Sequence, residues 1–500
     1  MPTTDRSSPL ALAGLLAAAI ALAPAPPLAA QTAAGQGLPG TIPSIPTPRP
    51  APPTPAAVIS RSPSPYLGSV PSGDATPGEI PLTLADAIAR GLASNLGAID
   101  AEVDVRIAEA QRERSLAALL PQLAGRLHHQ TGEVSLVQFG FQIPGVPTII
   151  GPFSYQDARV GLTQQLFNAQ DIASYRAARE SARAAQWNRD DSRGTVVLAV
   201  GAAYYQVVAS TARVESSQAQ LKGSRALDEL ATDQVKNGLS PRIDSLRSRV
   251  QAQTDEQRLA VAKAQLEKDK LSLARLIGLP VGQRFRIATE VGYAPWTGPA
   301  AADAVKAAYA ARNDLKSAAA LLRAAELARS AAAAERIPAV ALNADYGRIG
   351  KTLGHTDGTF TVAADVTVPL FTGGRTAAAV AQAQANLDRR KAELADLRSR
   401  VDYDVQSAFL DLDASQTSVE VAKKNVDLTQ QALVQAEDRF RNGVTNNVEV
   451  VLAEEAVAAA NENYIASLFS HNFSKLSLLK AMGLTEQGVR QYLDTTTGGK

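Results

Sequence analysis

The sequence predicts a mainly α-helical chain built from two tandem copies of one unit, each copy carrying two strands of bilayer-spanning length. Three observations predict it. First, no Gly or Pro falls between Arg375 and Asn442, or between Val444 and Met482. The first of these stretches has 68 residues, about 100 Å as a helix, far beyond an ordinary globular helix. Second, the chain repeats. Leu162-Thr163-Gln164-Gln165-Leu166-Phe167 matches Val366-Thr367-Val368-Pro369-Leu370-Phe371 at an offset of 204. Asn237-Gly238 matches Asn442-Gly443, and Leu276-Ile277-Gly278-Leu279 matches Ala481-Met482-Gly483-Leu484, both at 205. Third, the apolar period switches from helical to alternating and back within each copy.

Taken in order, residues 1–30 read as a secretory signal. A lone Arg6 precedes the apolar run Leu10 to Ala23, small residues follow, and Ala30 is the expected cleavage point. A membrane anchor is the competing reading, but the run is short for a bilayer and Pro24, Pro26 and Pro27 end it. Residues 31–80, rich in Pro, Ala, Gly, Ser and Thr, predict a disordered linker that buries no core. Order is expected to begin near Leu82, with Thr83 as N-cap and Leu84, Ala87, Ile88 and Leu92 on one helical face. The first repeat is assigned to 81–298, the second to 299–485, and a flexible tail to 486–500.

Strands are expected near Leu123 to Glu133, over Asp157 to Phe167, over Val340 to Gly347, and over Phe360 to Leu370. Ala158, Val160 and Leu162 alternate with Asp157, Arg159 and Gly161; Phe360, Val362, Ala364 and Val366 alternate with Thr361, Asp365 and Thr367. Each has one apolar and one polar face and the length of a tilted membrane strand. Phe167 and Phe371 are expected at matching strand ends, as interfacial aromatics. Leu120-Pro121 and Ile337-Pro338 pair at a larger offset, so the first copy carries an insertion, placed in Val137 to Phe153. Four strands cannot close a barrel, so strands facing lipid require oligomerisation.

Gly194 to Ala212 is free of charge and resembles a membrane helix. Its counterpart, Ser399 to Thr417, holds Arg400, Asp402, Asp404, Asp411 and Asp413, which a bilayer centre does not tolerate. Both are read as the middle of a long helix outside the membrane, with Val196, Val197, Val200 and Tyr204 on a buried face. Asn237-Gly238 and Asn442-Gly443 read as turns reversing the long helices, because Asn and Gly reach positive φ cheaply. Asp244 and Glu449 stand seven residues after each Asn. There they suit a helix start, and around a symmetry axis they would form a ring of carboxylates.

The chemistry of most enzymes is missing. The chain has no Cys, which excludes disulfides, thiolate metal sites and a Cys nucleophile. His128, His129, His355 and His471 lack partners at metal-ligand spacing. Gly350-Lys351-Thr352 lacks the upstream Gly and following helix of a phosphate loop and reads as a hairpin turn. A net charge of +1, with no basic run, gives no nucleic-acid signal. The sequence predicts no enzyme, no cofactor and no metal.

Together these features resemble the TolC-like outer-membrane efflux family over about residues 82 to 484. The resemblance rests on Leu82-Thr83-Leu84-Ala85-Asp86-Ala87, the Leu-Phe strand ends, Asn237-Gly238-Leu239, and Arg439-Phe440-Arg441-Asn442-Gly443-Val444 leading to Val448-Glu449-Val450-Val451-Leu452. It implies a homotrimer in which a 12-strand β-barrel in outer-membrane lipid continues into a long periplasmic α-helical barrel. The implied function is a passive export duct of a tripartite efflux pump or type I secretion system. Its partners would be a periplasmic adaptor protein and an inner-membrane transporter, with the duct opening as its helical hairpins untwist. By the same resemblance Asn237, Gly238, Leu239, Asn442, Gly443, Val444 and Thr445 form the adaptor-contacting tip, and Asp244 and Glu449 the pore constriction. Leu452 stands where some members carry a second acid, so the constriction is expected to be partly apolar. The alternative is a periplasmic coiled-coil structural or adaptor protein without a barrel; four alternating ten-residue strands argue against it.

Overall fold

Thr83 starts the first helix by a reciprocal cap. Its hydroxyl accepts the Asp86 N–H at 3.1 Å while the Asp86 carboxylate accepts the Thr83 N–H at 3.3 Å. The computed structural model describes residues 64–140, 144–288, 292–352, 354–489 and 491, all within one compact unit, Ser62–Lys500. The expected signal, the linker up to 63 and most of the tail lie outside the described residues.

The elements are β1 (Glu79–Leu82), α1 (Leu84–Ser94), α2 (Leu96–Ala117), β2 (Gln122–Ser135), β3 (Ile149–Phe167), α3 (Ala169–Lys236), α4 (Arg242–Leu276) and β4 (Arg284–Ile287). There follow α5 (Ala301–Ala311), α6 (Asn313–Ala334), β5 (Ala339–Thr352), β6 (His355–Thr367), α7 (Arg375–Arg441), α8 (Asn447–Ala481) and α9 (Thr485–Gly488). The order α1-α2-β2-β3-α3-α4 recurs as α5-α6-β5-β6-α7-α8. α3 and α7 have 68 and 67 residues, and α4 and α8 have 35 each.

The breaks between the paired short helices also correspond. Asn95, between α1 and α2, donates from Nδ2 to the Leu276 carbonyl at 3.3 Å. Arg312, between α5 and α6, donates from Nη1 to the Ala481 carbonyl at 3.3 Å. Each return helix therefore has its last carbonyl satisfied by the kink residue of its own repeat. Asn and Arg do this by different side chains, so the equivalence was not legible as identity.

Order begins earlier than the sequence suggests. A 3-10 turn at Pro65–Leu67 places Tyr66 against Ser192, hydroxyl to hydroxyl at 3.2 Å, and β1 pairs in parallel with β4. Residues 64–80 lie along the helices, although their Pro, Ser and Gly content predicts disorder. Tertiary contacts outweigh composition here, with Leu82 and Phe285 both buried.

The middle of α3 is the centre of the largest apolar core. Val196, Val197, Val200 and Tyr204 have no exposed surface and pack with Leu273, Leu476 and Leu479. The uncharged stretch Gly194 to Ala212 is thus helix interior by burial against α1, α4 and α8.

β2, β3, β5 and β6 form one antiparallel sheet in that order, so β3 and β5 join the two repeats and β2 and β6 are its edges. The two hairpins differ in their loops. Thr352 pairs with His355 in one, whereas Ser135 pairs with Ile149 in the other. The insertion thus falls between Ser135 and Ile149; Phe153, expected inside it, lies in the ladder opposite Gly132. Gly350-Lys351-Thr352, read from the sequence as a hairpin turn, is instead the last part of strand β5, with Gly350 paired to Thr356 and Thr352 to His355. Phe167 closes β3 after a register shift. Phe371 does not close β6: the strand stops at Thr367, and Phe371 follows in the connection to α7, 91% exposed. Pro369 explains the difference, since it has no N–H to donate and fixes φ.

Candidate functional site

The two Asn-Gly turns are helix C-caps of the same design. Gly238 and Gly443 adopt φ of 72° and 70°. The Gly238 N–H bonds to Val235 O at 3.1 Å and the Leu239 N–H to Gln234 O at 2.8 Å. The Gly443 N–H bonds to Phe440 O at 3.1 Å and the Val444 N–H to Arg439 O at 2.9 Å. These paired bonds satisfy the last helical carbonyls and require a residue without a Cβ penalty at positive φ. They also push Leu239 and Val444 out into solvent, 76% and 67% exposed. Asn237 and Asn442 are exposed beside them and Thr445 is half-buried. Just inside the turns, Leu227 and Ala231 of α3, Ala436 and Phe440 of α7 and Val450 of α8 form a small apolar core that holds the two hairpins together.

The two acids after the turns have different surroundings. Asp244 is 3% exposed; its carboxylate lies 3.6 Å from Arg247, and its backbone carbonyl accepts Nδ2 of Asn447 at 2.6 Å. Glu449 is half-buried and its carboxylate sits 3.0 Å from Arg439 Nη1. Leu452, one turn further, is 62% exposed, and Arg247 holds its equivalent place in the first repeat. The structure therefore separates the pair. Glu449 is presented at the surface of the chain, while Asp244 is turned into the seam between α4 and α8. Sequence reasoning missed Asn447, which makes that seam; its only signal is its place at the start of the returning helix.

At the other end of the long helices the sheet has two unlike faces. Cross-strand neighbours Leu123–Leu162, Val160–Tyr346 and Tyr346–Phe360 lie on one face, with Leu127, Val362 and Val366. Leu123, Val160, Tyr346, Phe360, Val362 and Val366 are all more than half exposed. On the opposite face Arg159 reaches Asp157 at 2.9 Å and Asp345 at 2.6 Å, and Asn343 donates to Asp365 at 2.7 Å. Gly347 makes room for that bridge: a β-carbon there would stand 2.3 Å from the Arg159 Cβ. A sheet with a bare apolar face and a charged, internally paired face suits lipid on one side and water on the other. Among the described residues no group of three or more His, Asp or Glu could hold a metal ion.

A family model described as "Outer membrane efflux protein" matches residues 90–279 and 304–484. The chain belongs to the outer membrane efflux protein family. One matched segment runs from α1 to the end of α4 and the other from α5 to the end of α8, and β4 lies in the gap between them. This efflux protein is 25% identical over 420 residues to the pyoverdine export outer membrane protein OpmQ of Pseudomonas putida, covering 79% of this chain and 84% of that one. It is 22% identical to the outer membrane efflux protein BepC of Brucella suis, covering 83% and 88%. Its fold matches the outer membrane protein VceC of Vibrio cholerae with a TM-score of 0.70 at 21% identity, covering 80% and 96%. It matches the open state of the MtrE outer membrane channel of Neisseria gonorrhoeae at 0.68 and 19% identity, covering 83% and 95%. The efflux protein is thus an outer-membrane efflux channel, reaching from the outer membrane into the periplasm. Its family and fold are those of channels, not of enzymes.

Proposed function

We propose that three copies of the chain form one passive export duct. The observation that carries this reading is the sheet: four strands, one bare apolar face, and two unpaired edges at β2 and β6. An open edge in a bilayer leaves backbone groups without partners, so the sheet must be completed by other copies. Three copies give a 12-strand barrel, and α3, α4, α7 and α8 of each continue it as a helical barrel.

The tips serve as the adaptor-contacting end. The exposed Leu239 and Val444, framed by Asn237, Gly238, Asn442, Gly443 and Thr445, offer a small apolar knob per hairpin. An adaptor protein docked there would connect the duct to an inner-membrane transporter that supplies the energy. Glu449 and Leu452 line the closed constriction, and Asp244 joins them when the hairpins separate. Phe167 anchors the barrel at the bilayer interface, and Phe371 does so from the connection after β6. Relatives are named for pyoverdine export and for alkaline protease secretion, so the reading assigns the choice of cargo to the pump.

Two measurements on detergent-purified protein test the proposal. Light scattering is expected to give the mass of a trimer, and the trimer is expected to conduct in a planar bilayer. A protein that leaves cells without detergent, or that is monomeric and silent in the bilayer, would overturn it.

A further inference from the structure

The seam between the hairpins α3–α4 and α7–α8 is incompletely satisfied. Among the described residues, two buried side-chain atoms have no hydrogen-bond partner: Asn447 Oδ1 and Glu454 Oε2. Both are on α8, seven residues apart, hence on one face. Native proteins leave few such atoms, and each calls for an explanation. Glu454 also borders a cavity of about 490 Å³ between the four helices. Gly223 of α3 lies against it: a β-carbon there would touch Glu454 Oε1 at 3.6 Å. The carboxylate thus reaches across the seam to the α3 backbone.

The charges around Glu454 are mostly of its own sign. α3 contributes Glu215, α4 contributes Asp255 and Arg258, and α7 contributes Glu437, whose carboxylate accepts from Arg441 at 3.1 Å. Arg258 does not neutralise the group, because it bonds to Asp255 at 3.1 Å and lies 3.7 Å from Glu455. Buried Asp255 is further held near Gln251. The small apolar core of Phe440 and Val450 lies between this cavity and the turns. An event at Glu454 therefore acts on the joint next to the tips.

We propose that Glu454 is a proton-operated latch: protonated, it lets the hairpins close on one another, and ionised, it drives them apart. Burial first, then Asp255 and Glu437, pushes its carboxyl up to about 7. When the hairpins part and water enters, the carboxyl returns toward the ordinary Glu value near 4.5. Between those two values the closed seam holds a proton that the open seam does not. Closure is therefore favoured at low pH, loses ground as pH rises through this window, and loses no more above about 7.

Hydrogen exchange of the full-length protein in detergent tests the latch, read at the C-terminal turns of α3 and the N-terminal turns of α8. After correction for the intrinsic rate, protection of the wild type is expected to fall with pH by up to about tenfold per unit between roughly pH 5 and 7. Glu454→Gln is expected to keep the seam protected with no pH dependence across that range. Glu437→Gln, which removes one facing charge, is expected to move the wild-type transition to lower pH. A flat wild-type profile, or a Glu454→Gln profile with the wild-type slope, overturns the proposal. The readout is independent of conduction: a protein with no duct activity would still report on its own seam.

Discussion

Asp244 and Glu449 occupy the same place in the two repeats, yet one is buried and the other is not. The difference comes from what each meets across the seam. Asn447, with no exposed surface, closes over Asp244, whereas Glu449 is paired with Arg439 on its own hairpin. Their substitutions should therefore separate. Glu449→Gln is expected to lower the cation preference of the closed channel in a planar bilayer, with stability changed by less than about 0.5 kcal/mol. Asp244→Asn is expected to leave closed-state selectivity unchanged. It should lower thermal stability by about 0.3–1 kcal/mol, the value of a carboxylate in the first turn of a helix. Equal selectivity changes in the two variants would show that both acids face the lumen. The acids themselves were legible as a spacing from Asn-Gly. Their unequal burial was not, because it depends on a helix more than 200 residues away.

The elements were legible to the degree that their signals are local. The uninterrupted stretch from Arg375 gives α7 nearly residue for residue, and the Asn-Gly turns give both hairpins. The strap at 64–82 was not legible, because its order comes from α2, α3 and β4. Gly201 is a similar case. In sequence it is a weak spot inside a helix, costing about 1 kcal/mol relative to Ala. In the structure it is where α3 and α8 approach closely: a β-carbon there would stand 2.6 Å from Leu476 Cδ1. Gln406 holds the equivalent place in α7, so the close approach belongs to one repeat only. Gly201→Val is expected to overpack the crossing and destabilise the helical domain by about 1–3 kcal/mol. A lower midpoint in the thermal loss of helical circular dichroism would report it. An unchanged midpoint would mean that α8 can move aside at no cost.

At the scale of the whole molecule, the assignment of the sheet faces to lipid and water decides the rest. Period-2 alternation made the faces legible in the sequence, but their meaning depends on the apolar one being left uncovered among the described residues. Val362 and Thr361 are neighbours near the middle of β6 and point to opposite faces: Val362 pairs with Ala344 beside Tyr346 and Phe360, and Thr361 with Asp345. A Lys at the bilayer midplane on a lipid face costs about 2–4 kcal/mol, whereas the lumen side of a barrel tolerates charge. In the proposed three-chain barrel each substitution would be present three times. Val362→Lys is therefore expected to reduce sharply the amount of assembled protein recovered in the outer membrane. Thr361→Lys should assemble normally and shift ion preference toward anions. Quantifying heat-sensitive assembled protein by gel mobility before and after heating, in outer-membrane fractions, reads both. If Thr361→Lys were the variant that failed to assemble, the charged face would be the one against lipid. The bridge of Arg159 with Asp157 and Asp345 would then have no aqueous lumen to face, and the three-chain barrel would have to be rebuilt with its sheet reversed.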